Sequence, residues 1–135
     1  PFVLSMFTIV LALQKQGITE YIYSFLGEKN VVFKYGLSSY VMSNVINNIP
    51  MSVLYSKVIN FTDALTLKQA IYSTIIGTNI GAFLTPIGAL AGIMFTDLVR
   101  KQEIEFSFKT FIKYGVIISL PTLAAALISL SIFLV

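Results

Sequence analysis

The sequence predicts an all-α membrane protein, built from transmembrane helices with a re-entrant helical hairpin and a broken transmembrane helix. Three observations carry that prediction. Of the 135 residues, 56% are hydrophobic and only 11% are charged, whereas a soluble domain carries about a quarter charged residues. The few charges are segregated, with none in 2–13, 36–56, 69–96 or 114–135. Two of these apolar stretches hold amides, prolines and glycines in their middles. Apolar runs of such length exceed the single stripe that a soluble helix shows its core.

The elements follow in order. Residues 1–13 are apolar but fall short of the roughly 20 needed to cross a bilayer. They read as the tail of a helix that begins upstream, so the sequence is expected to be the C-terminal part of a longer chain, ending at Val135. Neither a basic leader nor a small-residue cleavage site marks them as a signal peptide. Gln14-Lys15-Gln16 closes this helix, with Gly17 as its cap. In 18–26, Ile18, Tyr21, Ile22, Phe25 and Leu26 recur at helical spacing, as in an amphipathic helix lying in the membrane interface. Residues 36–58 could span, but Ser43, Asn44, Asn47, Asn48 and Pro50 lie inside. Pro50 argues against a straight helix. Of a kinked span and a re-entrant hairpin, the hairpin is preferred. A polar connection at 57–68 leads to 69–99, interrupted by Gly77-Thr78-Asn79-Ile80-Gly81 and Thr85-Pro86-Ile87-Gly88. That stretch is long for one crossing and suits two half-helices with an unwound link. Arg100, Lys101, Glu103 and Glu105 form a loop, and 108–135 is the last transmembrane helix, with Pro121 as a candidate kink.

Charge and composition exclude several functions. Nine basic and six acidic residues give a net charge of +3, too small and scattered for a nucleic-acid surface. Neither Cys nor His occurs, which removes thiolate chemistry and the commonest general base. With no nucleophile–base pair and no metal cluster, an enzyme is not expected, and no cofactor is implied. The density of Arg100, Lys101, Lys109 and Lys113 favours 100–113 as cytoplasmic and Val135 as extracytoplasmic. Asp97, three residues from Arg100, reads as an interfacial, loosely paired residue.

The two interruptions carry the chemistry. A broken helix frees N–H groups at one half-helix start and C=O groups at the other half-helix end. With Asn and Thr side chains, these can replace a solute's hydration shell. Such backbone survives at membrane depth only where it faces protein or a watery cavity. A binding site at the bilayer midplane accounts for both features. The competing account is packing: Gly77-x-x-x-Gly81 and Gly88-x-x-x-Gly92 let helices approach closely, and intramembrane Asn can clamp helices together.

The pair Asn47-Asn48-Ile49-Pro50 and Gly77-Thr78-Asn79-Ile80-Gly81, followed by Thr85-Pro86-Ile87-Gly88, resembles the ion transporter superfamily. Within it, the sequence is most similar to the arsenical pump membrane protein family of arsenite permeases. The resemblance covers essentially the whole chain. It implies half of an inverted-repeat transporter, a hairpin facing a broken helix, with the second copy in an N-terminal half. Substrate would lie between the halves, and transport would proceed by alternating access. Asn47, Asn48, Thr78, Asn79 and Thr85 become substrate- or ion-binding candidates, while Pro50, Gly77, Gly81, Pro86 and Gly88 shape the breaks. Ala89 departs from the family pattern, where a Ser often follows the TPIG run, and this leaves the substrate open. Implied partners are the lipid bilayer, the N-terminal half of the same transporter, a small inorganic or organic ion, and a cytoplasmic ATPase. The implied location is a prokaryotic plasma membrane, in a multi-pass protein. Two other functions stay open: a sodium/proton antiporter or sodium-coupled dicarboxylate carrier, and a non-transporting membrane scaffold.

Overall fold

The computed structural model describes residues 2–104 and 106–134, and every described element is an α-helix. Pro1, Glu105 and Val135 lie outside the described residues, and with them the first residue of the helix tail, one loop acid and the proposed extracytoplasmic end. Seven helices follow one another: α1 (Phe2–Lys15), α2 (Ile18–Leu26), α3 (Val31–Ile46), α4 (Asn48–Val58), α5 (Ala64–Gly81), α6 (Leu90–Lys101) and α7 (Phe108–Phe133).

Local chemistry explains the boundaries. Gly17 takes φ 74 between α1 and α2, a left-handed conformation that glycine adopts without penalty. In α2, Ile22 and Leu26 face inward while Tyr21 and Phe25 stay exposed. The expected apolar face is thus divided between the core and the surroundings. Asp63 caps α5 by accepting the Thr66 N–H at 2.8 Å, and Ser107 caps α7 by accepting the Thr110 N–H at 3.1 Å. The charge-free stretches underestimated two helices: α3 starts at Val31 and α5 at Ala64, whereas α7 starts at Phe108. Polar first turns are ordinary where a helix leaves an interface, and pattern alone does not register them.

The hairpin breaks at a single residue. Asn47 ends α3 and begins α4 with φ 81 and ψ 151, a strained conformation that is otherwise almost confined to glycine. Pro50 is the third residue of α4, where a missing N–H removes no intrahelical bond, so it starts a helix rather than kinking one. α4 then returns alongside α3. The Tyr35 and Tyr55 rings meet edge-on at 6.2 Å, and Val31 shares a buried cluster with Val58.

α5 remains helical through Gly77-Thr78-Asn79-Ile80, so these residues are not the unwound link. The link is 82–89, one turn later. Gly77 and Gly81 face α3 instead. A Cβ on Gly77 would strike the Gly36 carbonyl and Ser39 Oγ, and one on Gly81 would strike Tyr40 and Ser43. These pairings show that α3 and α5 run parallel with their backbones nearly touching, as small-xxx-small spacing permits. α7 runs antiparallel to both. Its stripe Gly115, Ser119, Leu123 and Leu127 is buried. Tyr40 and Ser119 share a buried hydrogen bond of 2.7 Å, and Gln69 Nε2 donates to the Leu134 carbonyl at 2.8 Å. The rest of α7 exposes Ile117, Ile118, Ile128, Ile132 and Phe133. At 26 residues it is long and apolar enough to cross a membrane, and it is continuous through Pro121.

Candidate functional site

Parallel packing of α3 on α5 brings the end of each helix to the same level. There the α3–α4 break meets the 82–89 link, and amides join them. Asn44 is the hub. Its Nδ2 donates to the Tyr40 and Gly81 carbonyls, both at 3.0 Å. Its Oδ1 accepts the Thr85 N–H at 3.1 Å and the Thr85 hydroxyl at 2.8 Å. Asn47 Nδ2 donates to the Ile87 carbonyl at 3.1 Å, and the Asn48 N–H donates to the Gly88 carbonyl at 2.9 Å. Gly88 fits because a Cβ there would stand 2.8 Å from Asn44 Oδ1. Each break therefore satisfies orphan backbone groups of the other, which water would otherwise have to do.

The sequence-derived candidates divide into three groups. Asn47 and Thr85 lie at this crossing with their side chains bonded to the chain itself. Asn48 lies there too, half-buried, and its side-chain amide bonds no described residue. Thr78 and Asn79 sit elsewhere. Thr78 is buried and donates to the Thr74 and Ile75 carbonyls of its own helix. Asn79 projects from the opposite, exposed face of α5, with Nδ2 on the Ile75 carbonyl at 2.8 Å. Of the break-shaping residues, Pro50, Pro86 and Gly88 are buried at the crossing, while Gly77 and Gly81 form the α3–α5 contact.

Sequence reasoning missed the role of Asn44. It stands one turn before Asn47 on the helix that carries Ser39 and Ser43, and that spacing was the available signal. Two further polar groups are buried without partners among the described residues, Tyr35 OH and Thr74 Oγ1. No cluster of potential metal ligands occurs among the described residues. Outside the helices that form the crossing, the Glu20 carboxyl is held below its usual range, chiefly by the Thr19 hydroxyl.

An apolar 26-residue helix, wide apolar exposure and buried helix breaks satisfied by amides fit an all-helical membrane protein. Comparison with known proteins narrows the class. The family model described as arsenical pump membrane protein matches residues 2–134, and the chain belongs to that family. A relative named arsenical pump membrane protein, from Yersinia enterocolitica, is 30% identical over 139 residues, covering 97% of this chain and 32% of the relative. One of the same name from Escherichia coli is 27% identical over 139 residues, with the same coverage. A putative arsenical pump membrane protein of Bacillus subtilis (strain 168) is 26% identical over 125 residues, 87% of this chain and 28% of the relative. The chain thus spans about a third of the length of the curated relatives it matches. No solved structure matches it.

Proposed function

We propose that this chain is the substrate-handling C-terminal part of a secondary active transporter that exports arsenite or a related anion by alternating access. The observation that carries this reading is the crossing itself: two helix breaks docked on each other through Asn44, Asn47 and the Asn48 N–H. A scaffold needs no breaks, since an unbroken helix satisfies its own backbone. Helix lengths support a re-entrant hairpin. α4 has 11 residues, about 17 Å, roughly half of a ~30 Å hydrocarbon core. α5 and α6, with 18 and 12 residues, suit the two halves of one broken span. From Gln69, level with Leu134, the crossing lies about 18 Å along α5, just past mid-depth.

In this reading the solute sits against the free groups of the crossing. These are the Asn48 side-chain amide and the N–H groups of Ile49, Leu90 and Ala91, which find no acceptor among the described residues. Arsenite at neutral pH is mainly the uncharged trihydroxide, and amides and backbone dipoles suit its hydroxyls. Asn47 and Thr85 shape the site while holding its backbone. Asn79 and Thr78 serve on faces turned to the remainder of the transporter or to their own helix. The second, inverted half and a cytoplasmic ATPase are partners of the full-length protein in this proposal.

The test is arsenite uptake into everted membrane vesicles containing the full-length transporter. Asn48→Ala is expected to abolish flux at normal expression and melting temperature, and Asn79→Ala, away from the crossing, to lower it less. Sodium-dependent dicarboxylate uptake, untouched by arsenite, would overturn the substrate. Reduced stability in both variants, with no wild-type flux to lose, would favour the scaffold.

A further inference from the structure

A cavity of about 1020 Å³ opens between α6, the link before it and the start of α7. Its inner end is Pro86 and Ile87, the same segment whose carbonyl Asn47 holds at 3.1 Å. Its outer end carries Asp97, Arg100 and Glu103. Among the described residues none of these three makes an ion pair. Glu103 adopts φ 57, and the Ile104 N–H reaches back to the Val99 carbonyl at 3.3 Å. This reversal closes α6 and turns the chain around the cavity mouth. No residue of α6 is buried. The ring of Phe95 meets Phe106 and Phe111 edge-on, with centroids 5.7 and 6.3 Å away, and joins α6 to the segment entering α7.

We propose that this cavity is a water-filled access vestibule between the cytoplasm and the crossing, with Asp97, Arg100 and Glu103 as its charged rim. The inference rests on the transporter reading above and adds to it the route by which a small polar solute reaches one side of the breaks. Three arguments converge. Unpaired charges of both signs do not face hydrocarbon without a large penalty, so lipid does not fill the space. The cavity ends at the bonded link, so water in it touches the crossing directly. Arg100, Lys101, Lys109 and Lys113 cluster at its mouth in sequence, and a density of basic residues beside a span marks the cytoplasmic side. Asp97 therefore acts as a rim carboxylate facing the solute path, not as an interfacial residue loosely paired with Arg100.

The segment contains no Cys, which suits cysteine accessibility in the full-length transporter after replacement of cysteines elsewhere. Thr96→Cys and Thr110→Cys place thiols in the cavity. Gln102→Cys is the exposed-loop control and Ile117→Cys the control on the apolar face of α7. A membrane-impermeant thiol reagent is applied to everted and right-side-out vesicles. Only the thiolate reacts, and it forms only where water reaches. Thr96→Cys and Thr110→Cys are expected to react from the cytoplasmic face within about tenfold of Gln102→Cys, with Ile117→Cys at least about a hundredfold slower. Reaction at either cavity position should block flux. If both cavity thiols react as slowly as Ile117→Cys, or only from the opposite face, the vestibule is wrong. Two positions guard against one that misfolds. No arsenite flux in wild-type vesicles, with both variant thiols still labelled from the cytoplasmic face, would remove the arsenite reading and keep the vestibule.

Discussion

Removing the Asn44 side chain tests whether the two breaks hold each other. Asn44→Leu keeps the size of the side chain and deletes four hydrogen bonds. One lies within α3, to the Tyr40 carbonyl, and three reach the end of α5 and the link, at Gly81 and Thr85. Side-chain hydrogen bonds between membrane helices average about 0.6 kcal/mol and reach about 1.7 kcal/mol. Three of them bound the loss at about 2–5 kcal/mol. The lower half of that range is expected, because Thr85 is half-buried and its freed groups can turn to water. The assay is equilibrium unfolding of the purified full-length protein in mixed micelles. Asn44→Ser, which keeps an acceptor, should recover part of the loss. Ser52→Ala, which removes one bond on an exposed face, should change little. Limited proteolysis adds a local readout, since 82–89 should become cleavable in Asn44→Leu. A change under about 0.5 kcal/mol, the range of ordinary surface substitutions, with the link still resistant, would refute the reasoning.

Two further outcomes follow from the same structure. Gly77→Ala should destabilise by about 1–3 kcal/mol, because the added Cβ meets the Gly36 carbonyl and Ser39 Oγ. Helix propensity alone predicts a gain of up to about 1 kcal/mol, so the sign measured by thermal unfolding decides whether the close contact exists. Asp63 has its carboxyl held below the usual range, first by the Thr66 N–H and then by the Thr66 hydroxyl. Its folded pKa lies below the unfolded one, so its capping contribution is complete above an unfolded value of about 3.9 and fades as pH falls through the folded value. The stability difference between the wild type and Asp63→Ala should therefore be flat at neutral pH and shrink in acid; a difference that grows in acid would contradict the cap.

Much of this fold is legible in the sequence. Gly17, the amphipathic 18–26 segment and the Asn47 break follow from local chemistry, and the structure has helix boundaries at each. The Gly77–Gly81 motif misleads for a physical reason. Glycine in an apolar run signals either an unwound backbone or a close helix contact, and the two differ only in what lies opposite. Here the opposite wall is Gly36, Ser39 and Ser43, 34 or more residues away in sequence. The real link, 82–89, has a weaker signature because the residue that shapes it, Asn44, belongs to another helix. Asn79 misleads similarly. Its place in the motif says nothing about its azimuth, which turns with Ile75 rather than with Gly77 and Gly81.

The division of labour among the amides bears on where a solute could bind. Asn44 and Asn47 spend their hydrogen-bonding groups on carbonyls and N–H groups of the chain, so a ligand would have to compete with bonds already made. At Asn48 the N–H alone anchors the Gly88 carbonyl, and the side chain bonds no other described residue. The neighbouring Asn pair therefore combines two roles at one break: Asn47 takes the strained positive-φ turn and closes the joint, and Asn48 presents an amide beside two helix N-termini. Helix N-termini favour electron-rich oxygens, and an Asn amide can donate to such an oxygen or accept from a hydroxyl. That donor-and-acceptor pairing fits a neutral polyhydroxylated solute better than a bare cation, which would need carbonyl and carboxylate oxygens converging on it. Among the sodium and arsenite readings, the free groups at the crossing favour the latter, and Asn48→Asp separates them. It exchanges a donor for a charge, so it should suppress flux of a neutral trihydroxide and leave a cation carrier active.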